Sequence, residues 1–489
     1  MKAQLLILTA FGLTACASFG PDRKAPKMPE PDHYSVEAQQ AQLPNADGVG
    51  QTVAAGVTPV PDWWRAYESE ELNRLIEEGL KMSPSLAAAQ SNLKAAREQL
   101  RGQIGKTMAP SVDATFTPGR VREPAIPIVP HAQPFESDIF SADISASYSL
   151  DIFGANRLAN SALAGKVQQQ AFELEATRRT LAANIVMATI NASALQEQVT
   201  ATEQLVEMGE ERARQAAGHY NLGSASRDEM LSAEQDGANA AATLPALRAR
   251  ALAVRHAQAV LLGRTPDRAP TPMALESLHL PDSVPFSLPS ELLHQRPDIL
   301  AAEAAVRAAA DQAGSAQAAM FPSLTLSAAY GRSGFDWSAL SSPASAVWGV
   351  GGALTQPLFH GGALRARKRQ YQATYEAAVS QYKQTVLSAF KNVADTLVAL
   401  DEDANTVTQT ERAESAAREA KTNSESRYKL GSTPFYATLT AGQQFESAHV
   451  QTILARAGRL ADTAALLDSM GDPQIAKTAL ALKGPGEGK

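Results

Sequence analysis

Tyr220-Asn221-Leu222-Gly223-Ser224 recurs as Tyr428-Lys429-Leu430-Gly431-Ser432, 208 positions later (428 − 220 = 208). The register then holds without a gap: Leu231 matches Leu439, Ala233 matches Ala441 and Gln235 matches Gln443. Solenoid repeats run to about 20–50 residues, so a period this long marks one large unit that was duplicated and fused. In both copies the motif interrupts a long helical pattern. A glycine supplies the left-handed conformation that stops a helix, and Ser224 or Ser432 is suited to begin the next one. Leu222-Gly223-Ser224 and Leu430-Gly431-Ser432 are therefore the expected tips of two helical hairpins.

The helices leading into the tips are far longer than a globular domain needs. The run 362–428 is free of proline, and about 66 helical residues at 1.5 Å each reach about 100 Å. Its apolar positions, Val379, Tyr382, Val386, Phe390, Val393, Leu397 and Leu400, are spaced by threes and fours. The first copy shows Leu181, Ile185, Ala188, Ala192, Leu195 and Val199. This is coiled-coil-like periodicity. Returning helices are expected over 226–262 and 435–469. Earlier in each copy a helix is expected over 70–107 and over 297–320.

Between these helices, period-2 alternation marks two strands in each copy. Val112, Ala114 and Phe116 alternate with Asp113, Thr115 and Thr117, and Ile144, Ala146, Tyr148 and Leu150 alternate with Ser145, Ser147, Ser149 and Asp151. In the second copy Leu324, Leu326, Ala328 and Tyr330 alternate with Thr325, Ser327, Ala329 and Gly331. Trp348, Val350 and Leu354 alternate with Gly349, Gly351, Ala353 and Thr355. The expected strands are 112–120, 141–151, 323–334 and 346–357. Each is about as long as a tilted strand that crosses a bilayer. One face is apolar and the other small and polar, the pattern of an outer-membrane barrel; four strands of a soluble sandwich are the alternative.

The N-terminus bears on compartment. Lys2 precedes an apolar run from Leu5 to Leu13, too short for a span of about 20 residues and shaped like a secretory signal. Leu13-Thr14-Ala15-Cys16 resembles the bacterial lipobox, which implies cleavage before Cys16 and acylation, with palmitate among the chains, of its thiol and new amino terminus. Ala17 resembles the sorting state for the outer membrane. An ordinary signal peptide with an incidental cysteine is the alternative. Cys16 is the only cysteine, so no intramolecular disulfide forms and stability has to come from packing or assembly. The net charge of −7 is spread without blocks, which argues against nucleic acid as partner. The proline-rich stretch that follows reads as extended and poorly packed. The chain thus divides into a signal peptide (1–15), a lipidated extended segment (16–61), a first repeat (62–265), a linker (266–289), a second repeat (290–470) and a C-terminal tail (471–489).

Four strands cannot close a barrel, since the smallest closed ones have about eight, and open edges are not tolerated in lipid. Three copies supply twelve strands and twelve helical rods, which enclose space around a cyclic axis. The expected fold is mainly α with a transmembrane β part. It is a trimeric 12-stranded outer-membrane β-barrel, four strands per chain, continuing into a 12-helix periplasmic α-barrel with an equatorial belt.

Several short motifs then converge on one family. They include Trp63-Trp64 with Leu72, Leu75 and Ile76; Leu261-Leu262-Gly263 with Pro266; Leu288-Pro289-Ser290; Arg296-Pro297-Asp298-Ile299 with Ala302-Glu303; and Phe321-Pro322-Ser323. Together with the lipobox and both tips, they make the chain resemble the TolC-like outer-membrane factors, in the lipoprotein branch that serves resistance-nodulation-division efflux systems. The resemblance implies an exit duct that passively conducts small molecules or drugs to the cell exterior. It also implies three kinds of partner: two further copies of the chain, a periplasmic adaptor and an inner-membrane proton-driven pump. Outer-membrane lipid would hold the acyl chains.

In the family the periplasmic end is closed near the tips and opens when the adaptor docks. That region maps onto Leu222, Gly223, Ser224, Leu430, Gly431, Ser432 and Thr433 for docking, and onto Tyr220, Asp228, Glu229, Tyr428 and Thr440 as candidate gate residues. Family members often carry an acid shortly after the second tip; here Thr440 stands there, while Asp228 and Glu229 follow the first tip. Both tyrosines also suit plain helix packing, and Arg296 with Asp298 suits a helix cap.

Enzyme chemistry finds no foothold. Gly105-Lys106-Thr107 lacks the first glycine of a phosphate loop, whose place Leu100 holds. There is no Gly-x-Ser-x-Gly or His-Glu-x-x-His, no zinc spacing and no cofactor motif. A non-conducting lipoprotein scaffold of long coiled coils is the closer rival.

Overall fold

The computed structural model describes residues 19–29, 34, 44–46, 48–55, 61–123, 135–286, 293–472 and 475. The signal peptide, Cys16, Leu288-Pro289-Ser290 and nearly all of the tail lie outside the described residues.

In chain order the elements are β1 (Thr52–Ala55), α1 (Glu70–Met82), α2 (Pro84–Met108), β2 (Ser111–Glu123), β3 (Phe135–Leu150), α3 (Ala155–Asn221) and α4 (Arg227–Leu261). Then come β4 (Ser283–Phe286), α5 (Pro297–Ala318), β5 (Ser323–Gly334), β6 (Ala346–Thr355), α6 (Ala363–Lys429) and α7 (Phe435–Ser469). In the long helices the duplication keeps one offset. The 67-residue helices α3 and α6 begin and end 208 positions apart (363 − 155 and 429 − 221), and so do the 35-residue helices α4 and α7 (435 − 227 and 469 − 261).

Boundaries differ from the sequence expectation in ways with clear causes. The helix expected over 70–107 is two helices, broken at Ser83, whose φ −66° and ψ 125° are extended. Pro84 forbids the helical conformation to the residue before it. Strands β2 and β3 run past the apolar alternation, to Glu123 and back to Phe135. There Arg120 faces Glu136 at 3.4 Å and Asp138 at 3.8 Å, and Arg122 faces Glu136 at 3.6 Å. Opposite charges across an antiparallel pair carry the ladder on where the apolar pairs end. Strand β6 stops at Thr355 rather than residue 357, since Pro357 has no N–H for a ladder.

The chain divides into two compact parts. The first, including Asn92–Gln170 and Ala302–Tyr382, holds a four-stranded antiparallel sheet in the order β2-β3-β5-β6. In this part Phe321 packs against Phe19 and Phe153, with ring centroids 4.8 and 5.2 Å away. Buried Asp311 on α5 accepts from Arg23 at 2.8 Å and from Ser161 at 2.6 Å.

The second part includes Ala171–Ala301 and the chain from Lys383 onward. Its core takes up Trp63, Trp64, Tyr67, Leu72, Leu75 and Ile76 together with Leu181, Ile185, Val186 and Ile190. The Tyr67 hydroxyl donates to the Leu460 carbonyl at 2.7 Å. Helices α3 and α4 pack through Leu195, Val199, Leu244 and Ala251. Arg179 and Arg296 donate to the carbonyls of Asp468 (2.9 Å) and Ser469 (3.1 Å), closing the C-terminus of α7 where cations are favoured. Arg296 also pairs with Asp298 at 2.7 Å, and Asp298 accepts from the Ile299 N–H.

The N-terminal segment and the linker are better packed than their composition suggests. Parallel pairing joins β1 to β4, and Gln51 is fully buried. Arg459 on α7, with no exposed surface, donates to the Ala46 and Val49 carbonyls at 2.6 and 2.9 Å and to Gln51 Oε1 at 3.3 Å. One guanidinium thus fixes a segment that composition alone marks as loose. Losing it leaves buried acceptors bare at about 1–3 kcal/mol each. Arg459→Ala is expected to expose residues 44–55 to limited proteolysis while the helices persist; unchanged cleavage would contradict the clamp.

A pH dependence follows from the same region. Burial, together with the Asp462 carboxyl beside it, pushes Asp403 up to about 7, against the pull of Arg459. The ordinary carboxylate value is about 3.9, so the native state keeps a proton that the unfolded chain gives up. Stability therefore falls as pH rises from about 4 to about 7 and levels off above. Melting temperatures in detergent at points across that window should show the fall, and Asp403→Asn should flatten it.

Candidate functional site

Two regions carry the chemistry of passage, and each is built from local rules. In the sheet, register decides which side chains share a face, because residues opposite each other across a ladder point the same way. Val112 pairs with Ala146, Ala114 with Ile144 and Phe116 with Ala142; Ile144 pairs with Tyr330, Tyr148 with Leu326 and Leu150 with Leu324. Tyr330 then pairs with Trp348, Ala328 with Val350 and Leu324 with Leu354. All four strands thus give one continuous apolar face, and it is bare: Val350 is 80 % and Trp348 74 % exposed. At one end Trp337 stands edge-on to Phe116 and Phe140, with centroids 5.7 and 5.8 Å away. Aromatic groups at the edge of an apolar band are the girdle of a membrane strand.

The other face pairs Ser111 with Ser147, Asp113 with Ser145, Thr115 with Asp143, Ser147 with Ser327 and Ser323 with Thr355. The Ser111 and Ser147 hydroxyls bond at 2.9 Å, and those of Ser141 and Ser333 at 3.0 Å. This face is wettable and lined by small side chains, as a conduit requires. Among the described residues strands β2 and β6 each have one partner only, so both sheet edges present bare backbone groups.

The second region is the pair of hairpin tips. Gly223 and Gly431 take φ +74° and +73°, the left-handed conformation that the Leu-Gly-Ser motif foretells. The N–H of Ser224 bonds the His219 carbonyl, and the N–H of Ser432 bonds the Arg427 carbonyl, both at 2.9 Å. Ser224 and Ser432 therefore finish the incoming helices rather than start the outgoing ones: their hydroxyls donate back to the same carbonyls. The outgoing helices begin after Ser226 and Pro434. At Ser226 a capping box forms, with the Glu229 N–H donating to Ser226 Oγ and the Ser226 N–H to Glu229 Oε2. Leu222 and Leu430 project at the two tips, each 83 % exposed.

Of the candidate gate residues, Tyr428 packs on Phe435 with centroids 5.1 Å apart, and Thr440 donates to the Tyr436 carbonyl. Among the described residues Tyr220 and Asp228 make no side-chain hydrogen bond or ion pair, and Glu229 is engaged in its cap.

The residue that links the two hairpins is one that sequence reading passed over. Arg212 on α3 bonds the Tyr436 hydroxyl and lies 4.5 Å from the centre of that ring. It also reaches Gln443 and Asp236, both at 3.4 Å. Nearby, the backbones approach closely: a Cβ at Gly237 would fall 3.1 Å from the Gly209 carbonyl oxygen, and one at Gly442 only 2.6 Å from Met208 Sδ. A signal was present in the duplication itself. At the matching positions the other copy has Ala420 for Arg212 and Asp228 for Tyr436, so this latch is a departure from internal symmetry.

A duplicated chain with a four-stranded amphipathic sheet and two long helical hairpins defines an outer-membrane channel protomer. Residues 75–264 and 288–472 match the family described as outer membrane efflux protein, and the chain belongs to that family. It is 30 % identical over 407 residues to the antibiotic efflux pump outer membrane protein ArpC of Pseudomonas putida, covering 81 % of this chain and 79 % of the relative. It is 27 % identical over 416 residues to the probable outer membrane lipoprotein SilC of Salmonella typhimurium, covering 82 % and 83 %. The Campylobacter jejuni CmeC outer membrane channel superposes with a TM-score of 0.82 over 94 % of this chain and 95 % of that one, at 20 % identity. The protein is thus an outer-membrane channel of an efflux pump and not an enzyme.

If Arg212 latches the hairpins, Arg212→Ala should raise the resting conductance of the reconstituted channel several-fold with helix content by circular dichroism unchanged. Equal conductance would show that Tyr436 and Asp236 need no such link.

Proposed function

We propose that three copies of this chain close into one duct that conducts small molecules passively from a periplasmic adaptor and an inner-membrane pump to the cell exterior. The observation that carries this is the open sheet. Its apolar face fits lipid, its polar face fits water, and its two bare edges are intolerable in a bilayer unless another chain pairs with them. Three protomers give twelve strands, an even number in the range of known barrels, and head-to-tail contacts of this kind close only as a ring.

The tips at Leu222–Ser224 and Leu430–Thr433 are the docking surface for the adaptor. Two exposed leucines offer apolar anchors, and Thr433 Oγ1 is shielded from solvent with no partner among the described residues. Arg212, Tyr428 and Tyr436 hold the mouth closed until docking. Cys16, acylated after signal cleavage, ties the N-terminus to the inner face of the outer membrane, where coupled chains add about 0.8 kcal/mol per buried CH₂. Antibiotics, after which the ArpC efflux pump is named, are the class of substrate to try first.

The purified chain should run as a trimer in detergent and pass ions in planar bilayers once the mouth is loosened. A protein that inserts but never conducts would favour the coiled-coil scaffold. At Gly431, proline cannot take a positive φ, so Gly431→Pro should abolish rescue of antibiotic resistance in a deletion strain while trimers persist. Cys16→Ser should remove metabolic labelling by palmitate; labelled Cys16→Ser protein would refute the anchor.

A further inference from the structure

The junctions between sheet and long helix differ sharply between the two copies. In the first, Asp151 caps α3, accepting from the backbone N–H groups of Asn156 and Arg157 at 3.0 and 2.7 Å. Asn160 bonds Thr107 and Ser161 bonds Asp311. Asp151, Asn160 and Ser161 thus all bond within the chain. In the second copy the residue 208 positions after Asp151 is Phe359, and it is 86 % exposed beside Leu358 at 91 %. Ala159, Asn160 and Ser161 are replaced by Arg367, Lys368 and Arg369, and Arg157 by Arg365. Four cations in five residues thus occupy the first two turns of α6. None has an ion pair among the described residues, and Arg367 lies 5.8 Å from the Tyr371 ring centre. Three of the four are exposed.

This arrangement breaks a local rule. Cations at a helix N-terminus oppose the macrodipole, and α6 has no acid in its first turn. Neutral in isolation or unfavourable, such a cluster gains only when an anion lies against it. Its position says which anion. Leu354, on the bare face of the sheet, is four residues before Leu358, so the exposed Leu358-Phe359 pair continues the bilayer-facing surface. From Ala363 to Arg369 the helix rises about 9 Å, which matches the depth of a headgroup layer plus the reach of an arginine.

We propose that Leu358, Phe359, Arg365, Arg367, Lys368 and Arg369 form an interfacial site for anionic phospholipid. The two apolar side chains enter the acyl boundary, and the cations hold headgroup phosphates of the periplasmic leaflet. The site rests on the outer-membrane reading of the sheet. It belongs to the second copy alone, so in a closed ring it occurs once per chain and ties each protomer to the leaflet from which its helices leave.

The test uses the full-length protein in phosphatidylethanolamine vesicles carrying traces of spin-labelled phosphatidylglycerol or spin-labelled phosphatidylcholine. Electron paramagnetic resonance reads the motionally restricted fraction of each. At about 50 mM salt the protein should prefer phosphatidylglycerol at least about three-fold, and at about 500 mM the preference should fall towards parity. The R365Q/R367Q/K368Q/R369Q variant should show parity at both salts and keep its conductance. Absence of the preference in the unmodified protein overturns the site, as does its survival in the variant. A variant with altered cation-to-anion selectivity and unchanged lipid preference would place these cations along the duct instead. Should the variant misfold, the salt series on the unmodified protein decides. Failure of the unmodified protein to conduct counts against the channel reading and leaves the lipid measurement standing.

Discussion

The structure depends on the unpaid hydrogen bonds at two strand edges. One chain makes four strands, and β2 and β6 each leave a row of backbone groups without a partner. In water such edges are a hazard; in lipid each bare group costs several kcal/mol. The amphipathic faces commit the sheet to lipid, because nothing among the described residues covers Val350 and Trp348. Membrane residence therefore calls for something to pair with those edges. Under the proposed assembly, copies of the chain would complete this hydrogen bonding.

The helical hairpins face the opposite difficulty. A helix of 67 residues has more surface than one neighbour covers, and small residues set how closely the rods pack. Gly209 and Gly237 bring α3 against α4, and Gly442 admits Met208. Charged links then set register: Arg248 to Glu203 at 2.6 Å, Arg456 to Glu411 at 2.9 Å and Arg212 to its three partners. Exposed ion pairs add little individually. Their use is positional.

Duplication explains both the economy of the chain and its points of interest. Both tips and the bounds of all four long helices repeat at 208 positions. Among the many positions where the copies differ are Arg212 against Ala420, Tyr436 against Asp228, and the cationic start of α6 against the capped start of α3.

Periodicity and turn chemistry are local, so the sequence by itself determined the long helices, the tips, the alternating strands and the face each strand would give to lipid. Those properties follow from a residue and its neighbours within a turn or a strand. The break at Ser83 was equally local and was legible in Pro84. What only the tertiary structure decided was what distant residues do together. The burial of the N-terminal segment rests on Arg459, more than 400 residues away in the chain. The parallel pairing of β1 with β4 and the meeting of Arg212 with Tyr436 are of the same kind. No pattern along the chain encodes them, because each depends on which surfaces the packed helices bring within about 3 Å of each other.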